Sequence, residues 1–158
     1  GSRNFIGLND PAVDSLVEGL INADSRQSLI AHTRALDRVL LAGHSSGAMT
    51  TVAYAARHPQ TPVTGIVAIG LSTFPNGPDT MQPAIMLKSV HIPVLDIHGS
   101  NDLHEVLSYS EARRTAAQAA GNKGYSAVRV PDANHFFTDQ YEALKKHILN
   151  WLGRNAGP

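Results

Sequence analysis

Three residues far apart in the chain have the types and settings that acyl transfer requires. Ser45 stands in Gly43-His44-Ser45-Ser46-Gly47, between an apolar strand candidate, Arg38–Ala42, and a helical pattern, Ala48–Arg57. A serine hydroxyl reacts only when it is held clear of its surroundings beside a base, and a sharp strand-to-helix turn holds it so. Glycine on either side lets strand and helix approach without a Cβ clash. The helix N-terminus also aims amide donors and a partial positive charge at the site, which favours a developing oxyanion. A base and an orienting acid are offered downstream. Asp102 follows the strand candidate Pro93–Ile97 in "HGSND", and His135 follows Ser126–Val130 in "DANHFF". Both fall at carboxyl ends of strands, where open α/β sheets form their sites.

Each assignment has a plainer rival. Ser45 could simply begin a helix in a glycine-rich loop, Asp102 could cap the segment after it, and His135 could be a solvated loop histidine. Asp96, inside the same apolar run, is a second candidate acid for His135, or a partner for a backbone group. His44 reads as a packing and hydrogen-bonding residue beside the site, at the wall of a substrate pocket. His98 and His104 flank the Asp102 loop without the spacing of a metal site and read as structural, so neither metal nor cofactor is expected. Phe74 and Phe136 are candidate pocket residues; one of Phe74, Phe136 and Phe137 could instead close the core under the histidine loop. Met81, Met86 and Leu87 read as core or pocket wall.

The positioning elements alternate. Asp10-Pro11 and Asp24-Ser25 read as helix starts, with Val13, Leu16, Val17, Leu20 and Ile21 on one face of the first helix and Leu29, Ile30 and Leu36 on the second. After the turn and the Ala48–Arg57 helix, Val63–Ile69 has a buried-strand pattern, and a short helix is expected around Met81–Lys88. Val106–Ala120 reads as one alanine-rich helix. Thr138 and Asp139 are candidate caps for a last helix with Tyr141, Leu144, Ile148 and Leu152 on one face. Strands alternating with helices imply right-handed crossovers and a parallel sheet covered on both faces. At 158 residues, a single domain is expected over 1–158, with residues 5–37 an N-terminal helical segment and 38–152 the α/β core.

Composition excludes several classes. Hydrophobic residues at 42% and charged ones at 16% are a globular balance. Thirteen basic residues cancel thirteen acidic ones, which gives no reason to expect a nucleic-acid or membrane partner. The absence of cysteine removes disulfide and thiolate chemistry and leaves the compartment open. No apolar run has the length of a membrane span, no basic-then-apolar export pattern opens the chain, and Gly1-Ser2 reads as a tag remnant.

From about Arg38 to Leu152 the chain resembles the C-terminal half of an α/β-hydrolase. "GHSSGA" resembles the nucleophile elbow, "PVLDIHGSND" the acid-bearing strand and "VPDANHFF" the histidine loop, in the order Ser, Asp, His of that fold. The details are similar to bacterial α/β-hydrolases of the DUF3530 type. The resemblance implies Ser45 as nucleophile, His135 as base and then acid, Asp102 as its orienter, and the Ser46 amide as one oxyanion donor. It also implies a small carboxylic ester as substrate. Residues of about 5–44 instead resemble a C-terminal helical piece of extracytoplasmic peptide-binding proteins of ABC transporters, so a chimera joined near "AGH" is expected. The strands and the "HGG" or "HGxG" loop that precede a full elbow are missing from the pattern. Two expectations follow. The elbow strand becomes the exposed edge of a sheet of about four strands, which calls for a homodimer through that edge or through exchanged N-terminal helices. The second oxyanion donor is absent, which predicts a weak esterase; the alternative is an inactive, dimeric scaffold.

Overall fold

A computed structural model of the chain describes Glu18, residues 21–28 and residues 39–155. The chain divides into two compact units, Gly1–Val39 and Leu40–Pro158. In the first unit, Ser25 Oγ accepts the Ser28 amide at 3.1 Å, and residues 26–28 are helical. That is the reach of an N-cap to the third helical position, as expected of Asp24-Ser25. The apolar positions expected at Val13, Leu16, Val17, Leu20, Leu29, Ile30 and Leu36, and the strand start at Arg38, lie outside the described residues.

A four-stranded sheet runs in the order β1 (Val39–His44), β2 (Val63–Ile69), β3 (Val94–Asn101), β4 (Tyr125–Asn134), and all of it but Val39 falls in the second unit. β2 runs parallel to β3, with Val67 opposite Leu95, and β3 parallel to β4, with Ile97 opposite Val128. Helices return the chain between strands: α1 (Ser46–Arg57), the short α2 (Pro83–Met86) between two 3-10 turns, α3 (His104–Leu107) and α4 (Ser110–Ala119), with α5 (Tyr141–Asn155) closing the chain. The expected truncated α/β-hydrolase-like sandwich is therefore the fold.

The period-2 alternation of β3 separates two cores. Val94 faces the cluster made by Val52 of α1, Leu87, Val90 and Ala117 of α4. Leu95 and Ile97 face Val130, Phe137 and Trp151 of α5. Leu144, Ile148 and Leu152 pack on that second cluster as their spacing predicts, but Tyr141 is 63% exposed. The buried anchor of α5 is Trp151, whose ring rests on Gly65, where a Cβ would come within 3.0 Å of it.

Two elements differ from the sequence reading for identifiable reasons. The expected helix Val106–Ala120 is broken into α3 and α4, and the break leaves the Val106 carbonyl free for the buried Arg113, whose Nη1 donates to it at 3.0 Å. β3 extends past Ile97 to Asn101, because Gly99 lets the strand lie against the Ala133 backbone. A Cβ at Gly99 would overlap the Ala133 carbonyl, and the pairing with β4 shifts register there.

Candidate active site

The turn after β1 has the geometry that a nucleophile elbow needs. Ser45 takes φ 56° and ψ −119°, a left-handed conformation that costs a non-glycine residue on the order of 1–3 kcal/mol. Its amide donates to the Ile69 carbonyl at 2.9 Å, which pins the turn to the end of β2, and α1 begins at Ser46. The two flanking glycines differ in role. A Cβ at Gly43 would overlap the backbone of Gly47 and Ala48, whereas one at Gly47 would meet nothing. Close approach of strand and helix therefore requires glycine at 43 alone. The first amides of α1, starting with Ser46, have no carbonyl one turn back to bond and stand open at this end of the helix.

Asp102 and His135 are brought together as expected. His135 Nδ1 donates to Asp102 Oδ1 at 2.6 Å, and both residues are buried. The carboxylate is fixed from two further sides: Oδ1 accepts the Leu103 amide at 2.8 Å and Oδ2 the Gly99 amide at 3.2 Å. With Nδ1 committed to the acid, Nε2 is the imidazole atom left to exchange a proton. The ring packs against Gly70, at φ 59°, where a Cβ would lie 2.9 Å from Cε1 and 3.0 Å from Nδ1. Gly70 follows directly on the residue that anchors Ser45, so the elbow and the imidazole meet over the same end of β2.

His44 packs and hydrogen-bonds here, as its sequence reading expected. Its Nε2 donates to the His135 carbonyl at 2.8 Å, and the two rings are 4.6 Å apart. Phe136, 68% exposed, stands edge-on to His135 at 5.3 Å and 5.7 Å from His44. Phe74 lies in the loop after β2 and is 43% exposed. Its amide bonds the Met81 carbonyl in the loop after β2, and among the described residues its ring contacts neither histidine. Phe137 is the aromatic that closes the core beneath the histidine loop.

The rival acid has a different partner. Asp96 is fully buried and accepts Arg113 Nε at 2.7 Å, Arg113 Nη2 at 3.3 Å and the Tyr125 hydroxyl at 2.6 Å. Burial pushes its carboxyl up, but the His98 imidazole, the Arg113 charge and the Arg113 and Tyr125 hydrogen bonds outweigh burial and hold it below its ordinary 3.8. His98 acts there through space, since its Nδ1 is 3.9 Å from Asp96 and has no hydrogen-bond partner. Burial and the neighbouring Asp96 charge push the Tyr125 phenol well above its ordinary 10.0, against the opposing pull of Arg113. His104 is exposed and bonds Ser108. Among the described residues no group of histidines and carboxylates is arranged to hold a metal, and no helix is long and apolar enough to cross a membrane.

Sequence reasoning missed Gly70 and Asn134. Asn134 Oδ1 accepts the amides of Phe136 and Thr138 at 3.0 and 3.1 Å, curling the loop so that His135 turns inward. The signal for Asn134 was present, since an asparagine in "PDANHFF" is a turn former that bonds the backbone two residues on.

The family described as Phospholipase/Carboxylesterase matches residues 11–152, a span that begins well before Arg38. Among solved structures, a "Putative Dienelactone Hydrolase" from Klebsiella pneumoniae subsp. pneumoniae superimposes with a TM-score of 0.64 and 23% identity, over 82% of this chain and 59% of that one. A 42-residue stretch is similar to other proteins. It is 60% identical to the "Uncharacterized protein y4wM" of Sinorhizobium fredii and 55% identical to the "Probable peptide-binding protein YejA" of Agrobacterium fabrum. Each stretch covers 27% of this chain and only 6% and 7% of the relative. The chain thus spans a small fraction of the curated relatives it matches.

Proposed function

The chain belongs to the phospholipase/carboxylesterase family of α/β-hydrolases, and from that premise we propose that it is a serine esterase acting on small activated carboxylic esters. Ser45 Oγ attacks the ester carbonyl carbon as His135 Nε2 takes the hydroxyl proton, and the carbonyl electron pair moves onto oxygen opposite the Ser46 amide. Collapse of this adduct expels the alcohol, which leaves with the proton from His135, and Ser45 holds the acyl group. Water then attacks in the same way, releasing the acid and restoring the serine. Asp102 keeps Nδ1 protonated and steadies the imidazolium in both halves.

The observation that carries this reading is the buried 2.6 Å His135–Asp102 bond beside a serine held at positive φ on a strand-to-helix turn. A plain glycine-rich turn needs neither. Turnover is expected to be slow, because the Ser46 amide is the one oxyanion donor assigned, and losing one such donor costs about 100- to 1,000-fold. The test is labelling by a fluorophosphonate together with hydrolysis of p-nitrophenyl acetate. Ser45→Ala should abolish the label and lower the rate to background; an unchanged rate would reject the mechanism.

The finer resemblances are part of the same proposal: an α/β-hydrolase of the DUF3530 type joined to a helical piece of a peptide-binding protein, dimeric through the edge of β1. The 42-residue match to peptide-binding relatives supports the join. It also favours the second reading, an inactive dimeric scaffold, whose sign is a folded protein with a serine that resists the probe.

A further inference from the structure

A groove of about 480 Å³ runs along the outer face of α1, from Ser46 at the mouth of the site to Arg57 and His58 at the far end. Its floor is the helical stripe Met49, Ala53 and Tyr54, and Met81 from the loop after β2 forms the facing wall. Met81 and Tyr54 are 43% and 44% exposed, so the groove presents apolar surface. From Ser46 to Arg57 the helix rises about 16 Å. The far end is basic. Among the described residues, no acidic side chain lines the groove and Arg57 makes no ion pair. Asp79, next to Thr80 of the wall, is not among the lining residues.

We propose that this groove takes the acyl chain of the ester, and that Arg57 selects chains ending in a carboxylate. The inference rests on Ser45 as the site of acyl transfer and specifies its substrate class: half-esters of extended dicarboxylic acids. The near end accepts the carbonyl beside the Ser46 amide, the middle buries methylenes against Met49, Ala53 and Met81, and the guanidinium pairs with the distal carboxylate. Arg57 also complements the C-terminal end of the helix dipole, which holds its charge in place at the groove's end.

Binding can be read without turnover. The Ser45→Ala protein, labelled on its methionine methyls, is titrated with monomethyl sebacate and with methyl decanoate, which has a chain of the same length but no terminal charge. Three methionines are present; Met49 and Met81 line the groove and Met86 does not. The expected result is movement of the Met49 and Met81 signals without that of Met86. Monomethyl sebacate should have a Kd about three- to ten-fold lower, an advantage lost in Arg57→Gln and kept in Arg57→Lys. Equal Kd values for the two ligands, or signals that move only at Met86, would overturn the proposal. Because this assay uses a protein without Ser45, failure of the esterase reading shows separately, as a wild-type serine that resists the fluorophosphonate.

Discussion

His44 occupies the variable position of the elbow, yet its bond to the His135 carbonyl ties the nucleophile turn to the histidine loop. In the proposed mechanism it is a positioning residue, since its hydrogen bond goes to the imidazole's backbone. His44→Ala should lower kcat on p-nitrophenyl acetate by about ten-fold with KM little changed, the scale of one lost hydrogen bond. His44→Gln, which keeps a donor near the same place, should recover most of that loss. Equal kcat in wild type and His44→Ala would remove the role. At this scale Ser45, Asp102 and His135 were legible because each carries its chemistry in its own type and in its place after a strand. Gly70 was not legible, because its need for glycine comes from φ 59° and from an imidazole sixty-five positions later in the chain. No local pattern around residue 70 records either.

Among the elements, the pairing of β3 with α4 through Asp96 and Arg113 was the least legible. An arginine in an alanine-rich helix reads as solvent-facing, whereas Arg113 is fully buried and spans β3, α3 and α4. Removing one partner of a buried pair strands the other charge, so Arg113→Ala should destabilise by about 3–5 kcal/mol in urea denaturation. The same pair gives a pH dependence. The Asp96 carboxyl titrates lower in the folded chain than its ordinary 3.8, so its stabilising contribution is fully present above that value. It is lost as pH falls from there through the lowered folded value. Melting temperature measured across that acid range should fall more steeply in wild type than in Asp96→Asn. Parallel slopes would show that the carboxylate's ionisation does not contribute. The strands themselves were legible from their apolar runs. Their ends were not, since β3 and β4 extend over glycine and turn-forming residues that only their contact with each other makes extended.

Among the described residues the sheet is small and the elbow strand is outermost, as expected. β1 is the first strand of the four, and its Val39 and Leu40 are 41% and 43% exposed. An apolar outer strand favours pairing with another chain. The proposed homodimer should appear in analytical ultracentrifugation as twice the mass of the chain, and Leu40→Lys should shift it to monomer with the fold retained by circular dichroism. A monomeric wild type at high concentration would reject it. The class of fold was legible because alternating strands and helices allow few arrangements. What the pattern does not carry is the partner of the edge, since an outer strand looks the same in sequence whether it is covered or bare.

The sheet is also laid down in the order in which the chain is made. β1, β2, β3 and β4 are neighbours in space as they are in sequence, so each strand leaving the ribosome finds its partner already waiting. Ser45 is synthesised before Asp102, and Asp102 before His135. In the proposed mechanism the Ser45 hydroxyl gains its base only once the loop carrying His135 has been made. On that mechanism a growing chain that has not reached His135 has no activated serine.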